Sequence, residues 1–93
     1  MKLDLDKLFK SDVHKRIILF FHENQGSIDT PRGVATWTGY QRNIVKKALT
    51  ELAKVGVLVA HPVPSTTGYS YTCEESIIKG VDKKLKELKR RPR

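Results

Sequence analysis

Between Thr30 and Val59 the chain reads TPRGVATWTGYQRNIVKKALTELAKVGVLV, and few folds accommodate that order of signals. Thr30-Pro31 is a helix start: threonine is a good N-cap, and proline at the first helical position lacks only an N–H that has no partner there. That helix is short, Pro31 to about Thr38, because Gly39 supplies the left-handed conformation that ends it. A longer helix follows from about Gln41 to Lys54. Val45, Ala48, Leu49, Leu52 and Val55 recur along it at helical spacing and form one apolar stripe. Gln41 is a weak N-cap by propensity. Gly56 closes this helix, and Val57-Leu58-Val59 begins a strand. Short helix, glycine turn, longer helix, strand: this is the order of a helix-turn-helix followed by a β-wing.

The flanks complete the unit. Ser11 is a good N-cap for an earlier helix with Asp12 in its first turn. Val13, Ile17, Ile18, Phe20 and Phe21 give that helix a broad apolar face, and Asn24-Gln25-Gly26 stops it. Ser27 to Asp29 suits a short strand. After Val59, AHPVPSTTGYSYTC reads as a hairpin with Ser65 to Gly68 as its turn and Tyr69 to Thr72 alternating with strand period. Pro62 and Pro64 confine its first strand to an edge or end it early. A final helix is expected from about Glu74. The predicted fold is therefore α+β and mainly helical. It is a winged helix-turn-helix over 11–73, with a three-helix core, a β-hairpin wing and an additional C-terminal helix over 74–90. Residues 1–10 form an N-terminal segment, and the basic end 91–93 is expected to be disordered.

Charge points to a partner. Eighteen Lys and Arg stand against ten Asp and Glu, a net +8. Residues 1–29 carry five of each sign, so they contribute nothing. Residues 30–72 carry Arg32, Arg42, Lys46, Lys47 and Lys54 against Glu51 alone, and the tail from Cys73 carries eight basic and four acidic groups. An ordinary solubility surface mixes both signs, whereas a one-signed basic stripe is the footprint of a polyanion.

Opposite the apolar stripe of the longer helix stand Gln41, Arg42, Asn43, Lys46, Lys47 and Thr50. Arg pairs bidentately with guanine and Gln or Asn with adenine, so Gln41, Arg42 and Asn43 are the candidate base readers. Arg32, Tyr40, Lys46, Lys47 and Thr50 suit the phosphate backbone, and the wing hydroxyls Ser65, Thr66 and Thr67 suit phosphates as well. Trp37 is expected in the core and Tyr40 as an apolar filler of the turn. Tyr69 and Tyr71 are expected to pack on the reading helix, with stacking on single-stranded bases as the competing use. Ile44 either edges the core or meets a thymine methyl; His61 is expected to be exposed.

At these residues the chain takes on a likeness. The run LFKSDVHKRIILFFHEN, the helix-turn-helix, and LTELAKVGVLV leading into a hairpin resemble small prokaryotic winged-helix transcriptional regulators of the arsenic-repressor and multiple-antibiotic-resistance type. The likeness covers roughly Leu8 to Thr72, and the Leu49, Leu52, Gly56 spacing mainly marks the fold. It implies a recognition helix at Gln41 to Lys54, a wing at about Pro62 to Tyr71, and a homodimer built through the terminal helices. Two features depart from that pattern. The wing tip Pro64 to Gly68 carries no Arg or Lys, and His14, His22, His61 and Cys73 lack ligand spacing, so metal sensing is not carried over.

The ends agree with a dimer. Leu3, Leu5 and Leu8, with Ile78, Val81, Leu85 and Leu88, exceed what a three-helix winged core covers, and pairing two subunits would bury them. The competing arrangement folds the last helix back on its own subunit. Cys73 stands alone, so a buried structural thiol is expected. The longest apolar run, Ile17 to Phe21, is far short of the roughly 20 residues of a membrane span. MKLDLDKLFK lacks the layout of a secretory signal, so a cytoplasmic protein is expected. No paired carboxylates, phosphate loop or nucleophile elbow is present, so neither an enzyme nor a cofactor is expected. The sequence reading is sequence-specific binding of double-stranded DNA by a transcription regulator. A protein-interaction adaptor and an RNA or single-strand binder are the alternatives.

Overall fold

A computed structural model of the chain describes residues 5–90, with the side chains of 5–87. In chain order its elements are α1 (Leu5–Phe9), α2 (Asp12–Glu23), β1 (Ile28–Asp29), α3 (Pro31–Thr38), α4 (Arg42–Lys54), β2 (Leu58–Val63), β3 (Thr66–Tyr71) and α5 (Glu75–Arg90). The fold is a winged helix-turn-helix with helices added at both ends. Leu3 and residues 91–93 lie outside the described residues, as does the side chain of Leu88.

Local chemistry sets the helix ends. The Ser11 hydroxyl accepts from the His14 N–H at the start of α2, and the Thr30 hydroxyl accepts from the Gly33 N–H at the start of α3. Gly39 takes φ +82° and donates its N–H to the Ala35 carbonyl, which lets the chain reverse into α4 within three residues. Gly56, at φ +90°, does the same after α4. The core that these turns assemble is Ile17, Ile18 and Phe21 of α2, Val34 of α3, and Val45, Ala48, Leu49 and Leu52 of α4, closed by Val57, Leu58, Tyr69, Tyr71 and Val81.

The sheet has three antiparallel strands in the order β1-β3-β2. The hairpin register pairs Val63 with Thr66, so the turn is Pro64-Ser65 rather than the expected Ser65 to Gly68. Thr66 and Thr67 belong to β3. Pro62 sits inside β2, paired with Thr67, and is tolerated because β2 is an edge strand. Gly68 is a packing glycine instead of a turn glycine: a Cβ there would come within 2.9 Å of Ile28 Cγ2.

Three side chains differ from expectation. Trp37 is 69% exposed, because α3 turns only Pro31 and Val34 fully inward and its last turn projects beyond the core. The indole rests one side on Phe20 instead. Cys73 is exposed, since the buried position in that linker is taken by Thr72, whose N–H bonds the Val57 carbonyl. Val81, expected at a dimer contact, is fully buried in its own chain. Leu5, Leu8, Ile78 and Leu85 are half-buried against the same core. The last helix thus packs on its own subunit through Val81, because α1, too short for its pattern to show in the sequence, lies against it, while its half-buried residues keep part of their apolar surface open. Leu5 packs over Gly80, and Lys84 of α5 pairs with Asp6 of α1.

A polar cluster joins α2, β3 and α5. His22 Nδ1 lies 3.0 Å from the Tyr71 hydroxyl, and its Nε2 lies 3.6 Å from Asp82 Oδ1. Lys86 lies 3.1 Å from the other Asp82 oxygen, and its hydrogen bond is the main cause holding Asp82 below the usual carboxylate range. Burial, and then the charge of Asp82, push the Tyr71 phenol up to about 12. The fold thus favours the neutral phenol. Its contribution is complete below the ordinary value near 10 and is lost as pH rises toward about 12. Urea unfolding followed across that window is expected to show an alkaline fall in stability that Tyr71→Phe removes.

Candidate nucleic-acid interface

α4 is two-sided for a simple reason. Its apolar residues recur every three or four positions, so one stripe is buried, and everything between the stripe's edges faces water. Val45, Ala48, Leu49 and Leu52 are 0–1% exposed, whereas Gln41, Arg42, Asn43, Ile44, Lys46, Lys47 and Thr50 are all exposed. Ile44 therefore lies on the open side, 43% exposed.

The start of α4 is bare. Gln41 is its N-cap but makes no side-chain capping bond, and the first turn carries no acid. The N–H groups of that turn thus lack a side-chain cap, and the helix's positive end favours an anion. Tyr40 is half-buried and packs on the core, the filler role expected of it.

The fold brings three separate elements to this end of α4. Pro31 and Arg32 from α3, Arg42, Asn43 and Lys46 from α4, and Thr66 from the wing line one open groove of about 410 Å³. Gln41, Tyr40, Lys47, Thr50, Ser65 and Thr67 do not line it. Lys47 stands on the neighbouring strip of the helix. Thr50 donates its hydroxyl hydrogen to the Lys46 carbonyl at 2.8 Å, so it offers an outside group only its oxygen lone pairs. Thr67 is half-buried and Ser65 lies in the wing turn.

The cations of this surface are uncompensated. Among the described residues no carboxylate lies within ion-pair distance of Arg32, Arg42, Lys46 or Lys47. Glu51, the single acid in residues 30–72, is held elsewhere: its Oε1 lies 2.8 Å from His14 Nε2 on α2. His14 Nδ1 in turn lies 2.6 Å from the Ser11 hydroxyl. No local pattern announces this Ser11–His14–Glu51 chain, because His14 and Glu51 are 37 residues apart and only the Ser11 to His14 spacing is short. Its effect is to hold Glu51, the one acid of α4, at α2 instead of beside the helix's basic side chains.

Tyr69 and Tyr71 are 6% and 5% exposed, which leaves neither ring open for a stacking base. Among the described residues no three His, Cys, Asp or Glu side chains come together to hold a metal ion, and no helix is long and apolar enough to cross a membrane.

Three solved structures share this architecture. The AntR antimony-specific transcriptional repressor superposes with a TM-score of 0.75 at 16% identity, over 91% of this chain and 74% of that one. HlyU from Vibrio cholerae N16961 gives 0.70 at 12% identity over 90% and 86%. Its reduced form gives 0.65 at 11% over 94% and 86%. At such identities the likeness is one of fold. No protein-family model and no curated protein matches the sequence.

Proposed function

We propose that this chain binds double-stranded DNA in a sequence-specific manner and regulates transcription, with α4 in the major groove. The observation that carries the reading is the set of unpaired cations on the open side of α4, joined by Arg32 and Thr66 in one groove. Gln41, Arg42 and Asn43 stand at the leading end, where a reading helix meets base edges. Arg32, Tyr40, Lys46 and Lys47 serve the phosphates, joined by Thr50 once its hydroxyl turns away from the Lys46 carbonyl, with the Ser65, Thr66 and Thr67 hydroxyls of the wing alongside. The repressor named among the fold's neighbours supports a regulator over other uses of the same architecture.

Two copies joined through α1 and α5 make a two-fold reader. Leu5, Leu8, Ile78 and Leu85 supply that contact, since each retains exposed apolar surface, while Val81 acts only within its own chain. The reading helices would then lie about 34 Å apart and select a pseudo-palindromic site.

A binding selection from random duplexes at two salt concentrations tests target class and symmetry together. The expected result is a recurrent motif with dyad symmetry. Four phosphates neutralised per subunit, by Arg32, Arg42, Lys46 and Lys47, give a dimer slope of log affinity against log salt near −7, from about −0.9 per phosphate. Binding to random duplex that is weaker than about millimolar and indifferent to salt would remove the reading in favour of a protein adaptor.

A further inference from the structure

Arg16, Leu19, Phe20 and Glu23 stand at relative positions 0, 3, 4 and 7 along α2, so they share one face of that helix. With Lys15, Trp37 and Thr38 they line an open groove of about 420 Å³ between α2 and α3, which shares no residue with the groove at α4. Trp37 is the chain's single tryptophan and is largely exposed. Its ring meets Phe20 at a centroid distance of 5.0 Å and an angle of 52°, leaving the rest of the indole to solvent. An open aromatic cluster on a small domain marks an interaction surface, and buried tryptophan and arginine anchors commonly dominate such contacts.

The charges say what fits there. Arg16 and Glu23 are exposed, and neither has an ion-pair partner among the described residues. They flank the apolar pair symmetrically, each the same distance in sequence from the midpoint between Leu19 and Phe20. A stripe ordered cation, apolar, apolar, anion becomes its own complement when reversed. Two such stripes laid antiparallel bring Arg16 onto Glu23 twice and Leu19 onto Phe20 twice, which is the self-matching that a two-fold contact requires. Lys15, tied to Asp12 at 3.9 Å, stands outside this pairing.

We propose that the α2–α3 groove seats a second copy of this chain, α2 against α2 and antiparallel. The two-fold axis passes between Leu19 and Phe20, Arg16 of each copy meets the partner's Glu23, and Trp37 closes the flank. The patch is smaller than the roughly 800 Å² per partner of a stable complex, so the association is weak and concentration-dependent. It is separate from the terminal-helix contact. Where the ends already pair, it joins dimer to dimer; where they do not, it joins monomers. Copies bound at neighbouring DNA sites are held at high local concentration, which lets a weak contact act there.

Sedimentation velocity of the full chain from micromolar to millimolar concentration tests the contact without DNA. The expected result is a reversible rise in mass: a doubling where the ends do not pair, and a doubling or more where they do, because each terminal-helix dimer presents two grooves. Trp37→Ala, Arg16→Glu and Glu23→Lys should each weaken it by about tenfold or more, while the double variant Arg16→Glu/Glu23→Lys restores it to within about threefold of the parent. All three positions are exposed, so the variants should keep the parent's circular dichroism. Arg42→Ala should leave the association unchanged, which separates this contact from duplex binding. The proposal is overturned if no mass increase appears by about millimolar, the limit of a meaningful contact. It is equally overturned if the increase ignores Trp37→Ala, or if the double variant is as defective as the single ones. Binding of a Glu/Leu/Phe helical peptide in the groove of a chain that never self-associates would assign the groove to a foreign helix.

Discussion

Arg42→Ala is expected to lower affinity for the selected duplex by about 2 kcal/mol at each half-site, and so roughly a thousandfold for a two-fold dimer. Arg42 combines three properties: it opens α4, it lines the groove shared with Arg32 and Thr66, and no carboxylate among the described residues neutralises it. Without the bidentate guanidinium the site loses discrimination as well as affinity, so the preference for the selected duplex over random sequence should collapse. Lys47→Ala behaves differently. It stands off the groove on the next strip of the helix and should weaken all duplexes alike, lowering the salt slope by about 0.9 per subunit. Fluorescence anisotropy against specific and random duplexes at several salt concentrations separates the two outcomes. Equal losses on both sequences for Arg42→Ala would show that it serves the backbone instead of the bases.

Leu49→Ala is the largest expected effect on the fold itself. Leu49 is fully buried at the centre of the α4 stripe, in the cluster that joins α2, α3 and the wing. Removing its branched end leaves a cavity that rigid neighbours fill poorly, at a cost of about 3–5 kcal/mol. A domain of this size is stable by roughly 5–14 kcal/mol, so about a fifth of its margin or more disappears. Urea unfolding should show a lower midpoint with an unchanged slope. A loss under about 1 kcal/mol would mean that the surrounding side chains collapse into the space, a fluid core at odds with the close packing around Leu49.

Much of this architecture is legible because its signals are local. Thr30-Pro31, Gly39 and Gly56 each act within a few residues of themselves, and the α4 stripe repeats often enough to be read without knowing its neighbours. The parts that mislead depend on distant packing. Gly68 looks like a turn residue in the sequence, yet it is glycine because Ile28 of another strand lies over it. Trp37 is of a type usually found in cores yet holds a surface position, since α3 buries only Pro31 and Val34 and its last turn projects beyond the core. α1 is five residues long, shorter than any periodicity can reveal, and without it the apolar face of α5 looks unpartnered. The candidate site divides in the same way. The outward residues of α4 follow from helical spacing, whereas the convergence of Arg32 and Thr66 on Arg42, and the withdrawal of Glu51 by His14, exist only in three dimensions.

The uncapped beginning of α4 places this surface under conflicting demands. Serine, threonine, asparagine or aspartate at position 41 would satisfy a bare amide and firm the helix by about 1 kcal/mol. Each would also fill, from within the molecule, a valence that an incoming oxyanion needs, and aspartate would add repulsion. Glutamine there leaves the terminus without a side-chain cap, which suits the anion contact proposed for this surface.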